Sequence, residues 1–204
     1  HQRWLTPRIS DLRPAVQLSA VLGSAFVYPV QTLSEMAAGA ELYYRSNSHT
    51  CLSGCWHVFL AVCAQLWPER AFDFDLLTLT KTLVQHDLMV KYTADCHEDI
   101  FKIQSASTCV FHNHQLETHG KHEGTHFILK NDAALYPENI LIMGDSYAYD
   151  VGFSELFAAY FKEVHVIWGQ MLDAAYIQQH AINTVVAETA ERFLIRAPMP
   201  DRFD

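Results

Sequence analysis

Asn139-Ile140-Leu141-Ile142-Met143-Gly144-Asp145-Ser146-Tyr147 is the stretch that decides the fold. Four consecutive large apolar residues bounded by polar ones read as a strand buried on both faces. Gly144 ends the strand in a turn, and a helix is expected over about Val151 to Phe161. The same rhythm repeats downstream. Val164-His165-Val166-Ile167-Trp168 reads as a second strand, Asp173 to about His180 as a helix, and Thr184-Val185-Val186-Ala187-Glu188 as a third strand. Apolar strands alternating with helices predict βαβ units and a mostly parallel sheet covered on both faces. Ligands of such sheets bind beyond the carboxyl ends of the strands, where Asp145 and Ser146 lie.

Upstream the pattern is helical from Pro14 to about Phe26, and Phe26–Val30 is a short strand or extended run. Thr32 to about Gly39 reads as a helix with Thr32 or Ser34 as its cap. Glu41–Tyr44 is extended and leads into the polar loop Arg45-Ser46-Asn47-Ser48-His49-Thr50. Ser53 to about Trp67 is a strong apolar helix stopped by Pro68. Between about Phe72 and Asp132 the pattern is less regular. Leu88–Tyr92, Thr108–His112 and Thr125–Leu129 are candidate strands, the last two separated by a histidine-rich loop.

Composition narrows the classes. Half of the 204 residues are hydrophobic and only 18% are charged, which excludes a disordered chain. The net charge of −9 comes from 14 scattered basic residues against 23 acidic ones. Nucleic-acid binding needs clustered cations, so no nucleic-acid partner is expected. No apolar run approaches the roughly 18 residues of a transmembrane helix, and none is expected. Cys51, Cys55, Cys63, Cys96 and Cys109 are odd in number and irregular in spacing, so they read as small core residues rather than a disulfide framework.

Ser146 is the first candidate for chemistry. A serine at a strand-to-helix junction is lifted out of the sheet, and its own N–H points where an oxyanion would form. It needs a base. His165 and His180 follow it in the chain, with Asp150 and Asp173 available as acids, but the turn is Gly144-x-Ser146-x-Ala148 rather than GxSxG. His49 is the better base. It lies two residues after Asn47, and in an extended backbone residues i and i+2 share a face. Asn47 can orient an imidazole but cannot supply a carboxylate's charge. Gly144, Asp145, Tyr147, Tyr149 and Asn113 complete the candidate oxyanion and substrate-binding set, with Asn113 as a second oxyanion donor and the two tyrosines as sugar-stacking rings.

Together these stretches resemble one family. Tyr43-Tyr44-Arg45-Ser46-Asn47-Ser48-His49 with Gly54 beyond it is similar to "YY.TDTHWN..G" of the SGNH-like alginate O-acetyltransferases of the AlgJ and AlgX type. His86-Asp87-Leu88 resembles that family's "GDL", and Ile140–Tyr147 resembles its nucleophile block. The tail from Glu163 to Leu194 is similar to the ends of its relatives. The likeness runs in order from about Tyr43 to Leu194. It implies a three-layer α/β/α SGNH-hydrolase-like domain over residues 1–204, with a first strand expected upstream of His1. It implies Ser146 as nucleophile and His49 as base, with Asn47 where the family has Asp and Thr50 where it has Trp.

The implied activity is acetyl transfer to polysaccharide hydroxyls without a cofactor. Its implied partners are the polysaccharide and an acetyl donor, a membrane acyltransferase being one source, in the periplasm. A cytoplasmic location is the alternative. A carbohydrate esterase, or a non-catalytic carbohydrate-binding or assembly module with a degenerate site, are the other readings. His112, His114, His119, His122 and His126 have spacings that suit zinc or nickel, but Gly120 and Gly124 oppose a helix there. The loop is expected to be a solvated one, with no metal site assigned.

Overall fold

The computed structural model describes residues 13–86, 88, 97–104, 107–113, 122–149 and 152–194. Helix α1 spans Pro14–Leu22, with proline at its first turn and Gly23 at its end at φ +56°. The chain then runs extended before α2, Val30–Met36, so the possible strand at Phe26–Val30 is an approach to a helix. Pro29 occupies the N-cap of α2. Neither Thr32 nor Ser34 caps it; Ser34 sits inside and its hydroxyl donates to the Val30 carbonyl. Helix α3, Leu52–Leu66, ends just before Trp67-Pro68, where the ring of proline forbids continuation.

Strands β1, Leu79–Val84, and β2, Glu98–Ile103, form an antiparallel hairpin of their own. Strands β3, Thr108–His112, β4, His126–Lys130, and β5, Tyr136–Gly144, follow. A single turn of helix, α4, Ser146–Tyr149, leads to α5, Phe153–Tyr160, and on to β6, Phe161–Trp168. Helix α6, Ala174–Gln179, is capped by the Asp173 carboxylate, which accepts from the N–H groups of Ala175 and Tyr176. Strand β7 is Thr184–Ala187.

The main sheet has the order β3-β4-β6-β5-β7. Its β6-β5-β7 half is parallel, as the alternation of strands and helices predicts. The sheet as a whole is mixed rather than mostly parallel, because β4 runs antiparallel to both β6 and β3. The physical reason lies in the connections. A parallel neighbour needs a crossover of a dozen or more residues, usually a helix, whereas an antiparallel one needs only a turn. The described part of the segment before β4 carries strands and no crossover helix. The expected strand at Leu88–Tyr92 falls largely outside the described residues.

Alternation along the strands sorts the two faces. Ile140, Ile142, Val164, Val166, Phe127 and Val186 enter one core with α3 and α5. Phe59 of α3 is fully buried there, with the rings of Trp56, Phe72, Phe157 and Tyr160 around it. Truncating such a ring to alanine costs about 3–5 kcal/mol. On the opposite face, Leu141, Met143 and His165 are as deeply buried, and Tyr176 of α6 reaches the sheet by hydrogen bonds to His126 and His165. Cys55 and Cys63 belong to the core, where burial pushes the Cys55 thiol up to about 12. Cys51 is half-buried and Cys109 is exposed, and all four are free thiols. Cys96 lies outside the described residues. No single helix among the described residues is long and apolar enough to cross a membrane.

Candidate active site

The loop before α3 is folded back on itself. Tyr43 and Thr50 form a β-bridge, the Tyr44 N–H donates to the His49 carbonyl at 3.4 Å, and the Cys51 N–H donates to Leu42 at 3.0 Å. Gly54 makes this possible. A Cβ there would stand 2.2 Å from the Leu42 oxygen and 3.1 Å from the Thr50 Cβ, so the loop rests on bare helix backbone. From the other side Glu98 of β2 clamps the loop: its carboxylate accepts from the N–H groups of Arg45 and Ser46 and from the Ser46 hydroxyl. Burial works against the charge of Glu98, but these donors outweigh it and hold the carboxyl below its usual range.

The clamped loop presents Asn47 and His49 to Ser146. His49 Nε2 lies 2.8 Å from Ser146 Oγ, and its Nδ1 lies 2.7 Å from Asn47 Oδ1. The same oxygen accepts from the His49 N–H at 3.1 Å. Asn47 Nδ2 stands 2.9 Å from His86 Nδ1. These contacts assign the protons. An amide NH₂ only donates, so His86 Nδ1 accepts and Asn47 Oδ1 must face His49. His49 Nδ1–H then donates to that oxygen, and Nε2 carries the lone pair that accepts from the Ser146 hydroxyl. This is the tautomer a general base needs. The ring of Tyr44 lies against His86 at 4.7 Å between centroids.

The nucleophile turn is held separately. Asp145 accepts from the Tyr147 N–H through Oδ1 and from the Ala190 N–H through Oδ2, each at 2.9 Å. The Asp145 N–H donates to Glu188 Oε2 at 3.2 Å. Gly144 is required by space: a Cβ would come 2.7 Å from the Ala148 Cβ and 2.8 Å from Glu188 Oε2. Burial first, and the neighbouring Asp145 second, push the Glu188 carboxyl up to about 8.

The tyrosines part company. Tyr147 spans the two halves: its hydroxyl donates to the Ser48 carbonyl at 2.8 Å and its ring lies 4.7 Å from that of His49. Tyr149 is half-buried, with its ring between those of Phe127 and Trp168 at the margin of the core. Asn113 ties the turn between β3 and β4, donating to the Gly124 carbonyl and accepting from the His126 N–H. His165 stands away from Ser146, bonded to Glu163 and Tyr176, and Asp173 is a helix cap. Asp150, His114 and His119 lie outside the described residues. A cavity of about 930 Å³ includes Tyr43, Thr50, Tyr147 and Glu188 in its wall. His86, Glu98 and Glu188 are site residues that residue patterns alone did not reveal. His86 stood only in a three-residue likeness to "GDL".

No protein-family model and no curated protein sequence matches the chain. Solved structures do. The fold is similar to a DHHW family protein from Eubacterium siraeum, with a TM-score of 0.66 at 11% identity, over 84% of this chain and 66% of that one. It is similar to Bacillus cereus PatB1 carrying a sulfonyl adduct, with a TM-score of 0.55 at 14% identity, over 80% of this chain and 67% of that one. It is also similar to the O-acetyltransferase domain of Pseudomonas putida AlgJ, with a TM-score of 0.55 at 13% identity, over 95% of this chain and 70% of that one. The chain thus has an α/β fold shared with an O-acetyltransferase domain, and it spans about two thirds of the length of these proteins.

Proposed function

We propose that the chain transfers acetyl groups to hydroxyls of a polysaccharide through Ser146 and His49, outside the cytoplasm. The observation that carries this reading is the 2.8 Å approach of His49 Nε2 to Ser146 Oγ, with the opposite ring nitrogen held by Asn47. His49 takes the hydroxyl proton as Oγ attacks the acyl carbonyl carbon. The backbone N–H of Ser146 faces the oxygen that becomes negative. The leaving group departs with the proton from His49, leaving an acetyl-serine. A sugar hydroxyl then gives its proton to His49 and attacks the ester, which returns Ser146 to its starting state. Water in place of the sugar makes the same site an esterase. The fold shared with an O-acetyltransferase domain supports the acyl-transfer class.

A second reading rests on Asn47. In serine proteases, exchanging the triad aspartate for asparagine lowers kcat about 10⁴-fold, and a site that begins with the amide suits a carbohydrate-binding module. Intact-protein mass after brief incubation with an activated acetyl ester tests both. An acetyl adduct that maps to Ser146 and is absent from Ser146→Ala supports transfer. A folded chain that forms no adduct with the ester or with a sulfonyl fluoride refutes it and favours binding alone.

A further inference from the structure

We propose that Glu163, His165 and His180 form a binding site for a divalent transition cation of the zinc class, on the sheet face opposite α3 and α5. This site is independent of the acyl-transfer reading.

The three side chains converge from two elements. Glu163 and His165 are two residues apart on β6 and so share a face, and His180 caps the end of α6. One potential ligand atom from each lies within 4.8 Å of the others. Zinc bonds of about 2.0–2.2 Å in a tetrahedron place ligand atoms roughly 3.3 Å apart, so closing on a cation needs only a modest swing of His180. The other pair is already set, with His165 Nε2 and Glu163 Oε1 2.8 Å apart. A cation would take the place of the proton they share. Two imidazoles and one carboxylate, with a fourth position left to water, is a ligand set that zinc accepts.

The surroundings support the ligands from behind, as metal sites require. His165 Nδ1 is hydrogen-bonded to the Tyr176 hydroxyl, which also lies 2.8 Å from His126 Nε2. Lys130 holds Glu163 through its other oxygen at 2.9 Å. When His165 Nε2 binds the cation, Nδ1–H donates to Tyr176 and the tyrosine proton turns to His126. The Tyr176 hydroxyl can therefore accept from His165 Nδ1–H, the tautomer that ligation through Nε2 needs, while His126 carries its own proton on Nδ1. A bound ion would pin α6 to the centre of the sheet.

The test uses the whole chain, stripped with a chelator, dialysed and titrated with zinc chloride by calorimetry. Elemental analysis reads occupancy, and cobalt(II) absorption reads coordination geometry. The expected result is one zinc per chain and a rise in the thermal midpoint. Affinity is expected to fall at least tenfold in His180→Ala and in Glu163→Gln, and to survive in His119→Ala/His122→Ala. His180 is partly exposed, and circular dichroism verifies that its variant folds. No zinc binding by the parent chain overturns the proposal. So does binding unchanged in both site variants, or lost only with the loop histidines.

Discussion

His49 and His165 are built from opposite halves of a triad. His49 has a serine in front of it and an amide behind it. His165 has a carboxylate on one nitrogen and a tyrosine hydroxyl on the other, and no serine or thiol bonded to it among the described residues. The first is half-buried and mounted on a loop; the second is fully buried in the middle of a strand. The contrast shows that an orienting partner and a charged partner are separable devices. Asn47 holds the base tautomer of His49 because its amide nitrogen is engaged by His86, which leaves its oxygen for His49. It withholds the charge that would stabilise the imidazolium once the serine proton arrives.

The largest effect expected from breaking this arrangement is on the base itself. His49→Ala should slow formation of the acetyl-enzyme by about 10²–10⁴-fold, the usual weight of a general base, measured by quenched intact mass. His165 should matter little to that rate. An equal loss in a folded His165→Gln chain would refute the separation of the two histidines.

Next comes the exchange that turns the first assembly into the second. Asn47→Asp should accelerate acylation by about ten- to a hundredfold, a partial recovery of the roughly 10⁴-fold that a triad aspartate supplies. His86 can follow the change. Its Nδ1, which accepts from the amide, would become the donor to the new carboxylate, and its buried Nε2, which has no hydrogen-bond partner among the described residues, would cease to be an orphaned donor. His86→Phe should therefore reduce acylation in the Asn47 chain and hurt the Asn47→Asp chain more. Stopped-flow release of a chromogenic acetyl ester reads all three. A slower Asn47→Asp variant would mean that the site is tuned to the neutral amide.

The parallel half of the sheet was legible because a strand buried on both faces has to be apolar throughout, as Ile140–Met143 and Val164–Ile167 are. The hairpin β1–β2 was not, since most of its positions face solvent and carry a mixed pattern. Strand β4 was foreseen, yet its direction was not, because direction depends on the connection and not on the residues within the strand. Within the site, Asn47 and His49 could be paired from their spacing, and His49 with Ser146 through the likeness to the O-acetyltransferase family. Glu98, His86 and Glu188 act across 52, 39 and 43 positions respectively, and no local pattern carries such pairings. His165 lies among apolar neighbours in a strand, a pattern that by itself marks only a core position. The signal that it was more was Glu163, a charged residue sharing its strand face.

The last expected effect is on stability rather than on rate, and concerns the carboxyl beside the serine. Glu188 has its pKa raised from 4.5 to about 8, so the folded chain keeps a proton that the unfolded chain loses. Stability should therefore decline as pH rises from about 4.5 to about 8 and level off above, by up to about 1.4 kcal/mol per unit. Urea unfolding across this range should show the slope, and Glu188→Gln should flatten it. A slope unchanged in the variant would place the proton elsewhere.

Gly54 has a consequence that reaches beyond its own helix. The residue touches no reacting atom, yet the close seating of Leu42 over it, where an added Cβ would meet the carbonyl oxygen at 2.2 Å, sets the height at which the whole base-bearing loop rides. The loop is a lever whose fulcrum is a missing methyl group. Its far end needs an alignment of a few tenths of an ångström, because proton transfer from a hydroxyl tolerates little more. Tolerance to mutation near this site should accordingly follow leverage rather than distance, with a position remote from the chemistry among the least forgiving.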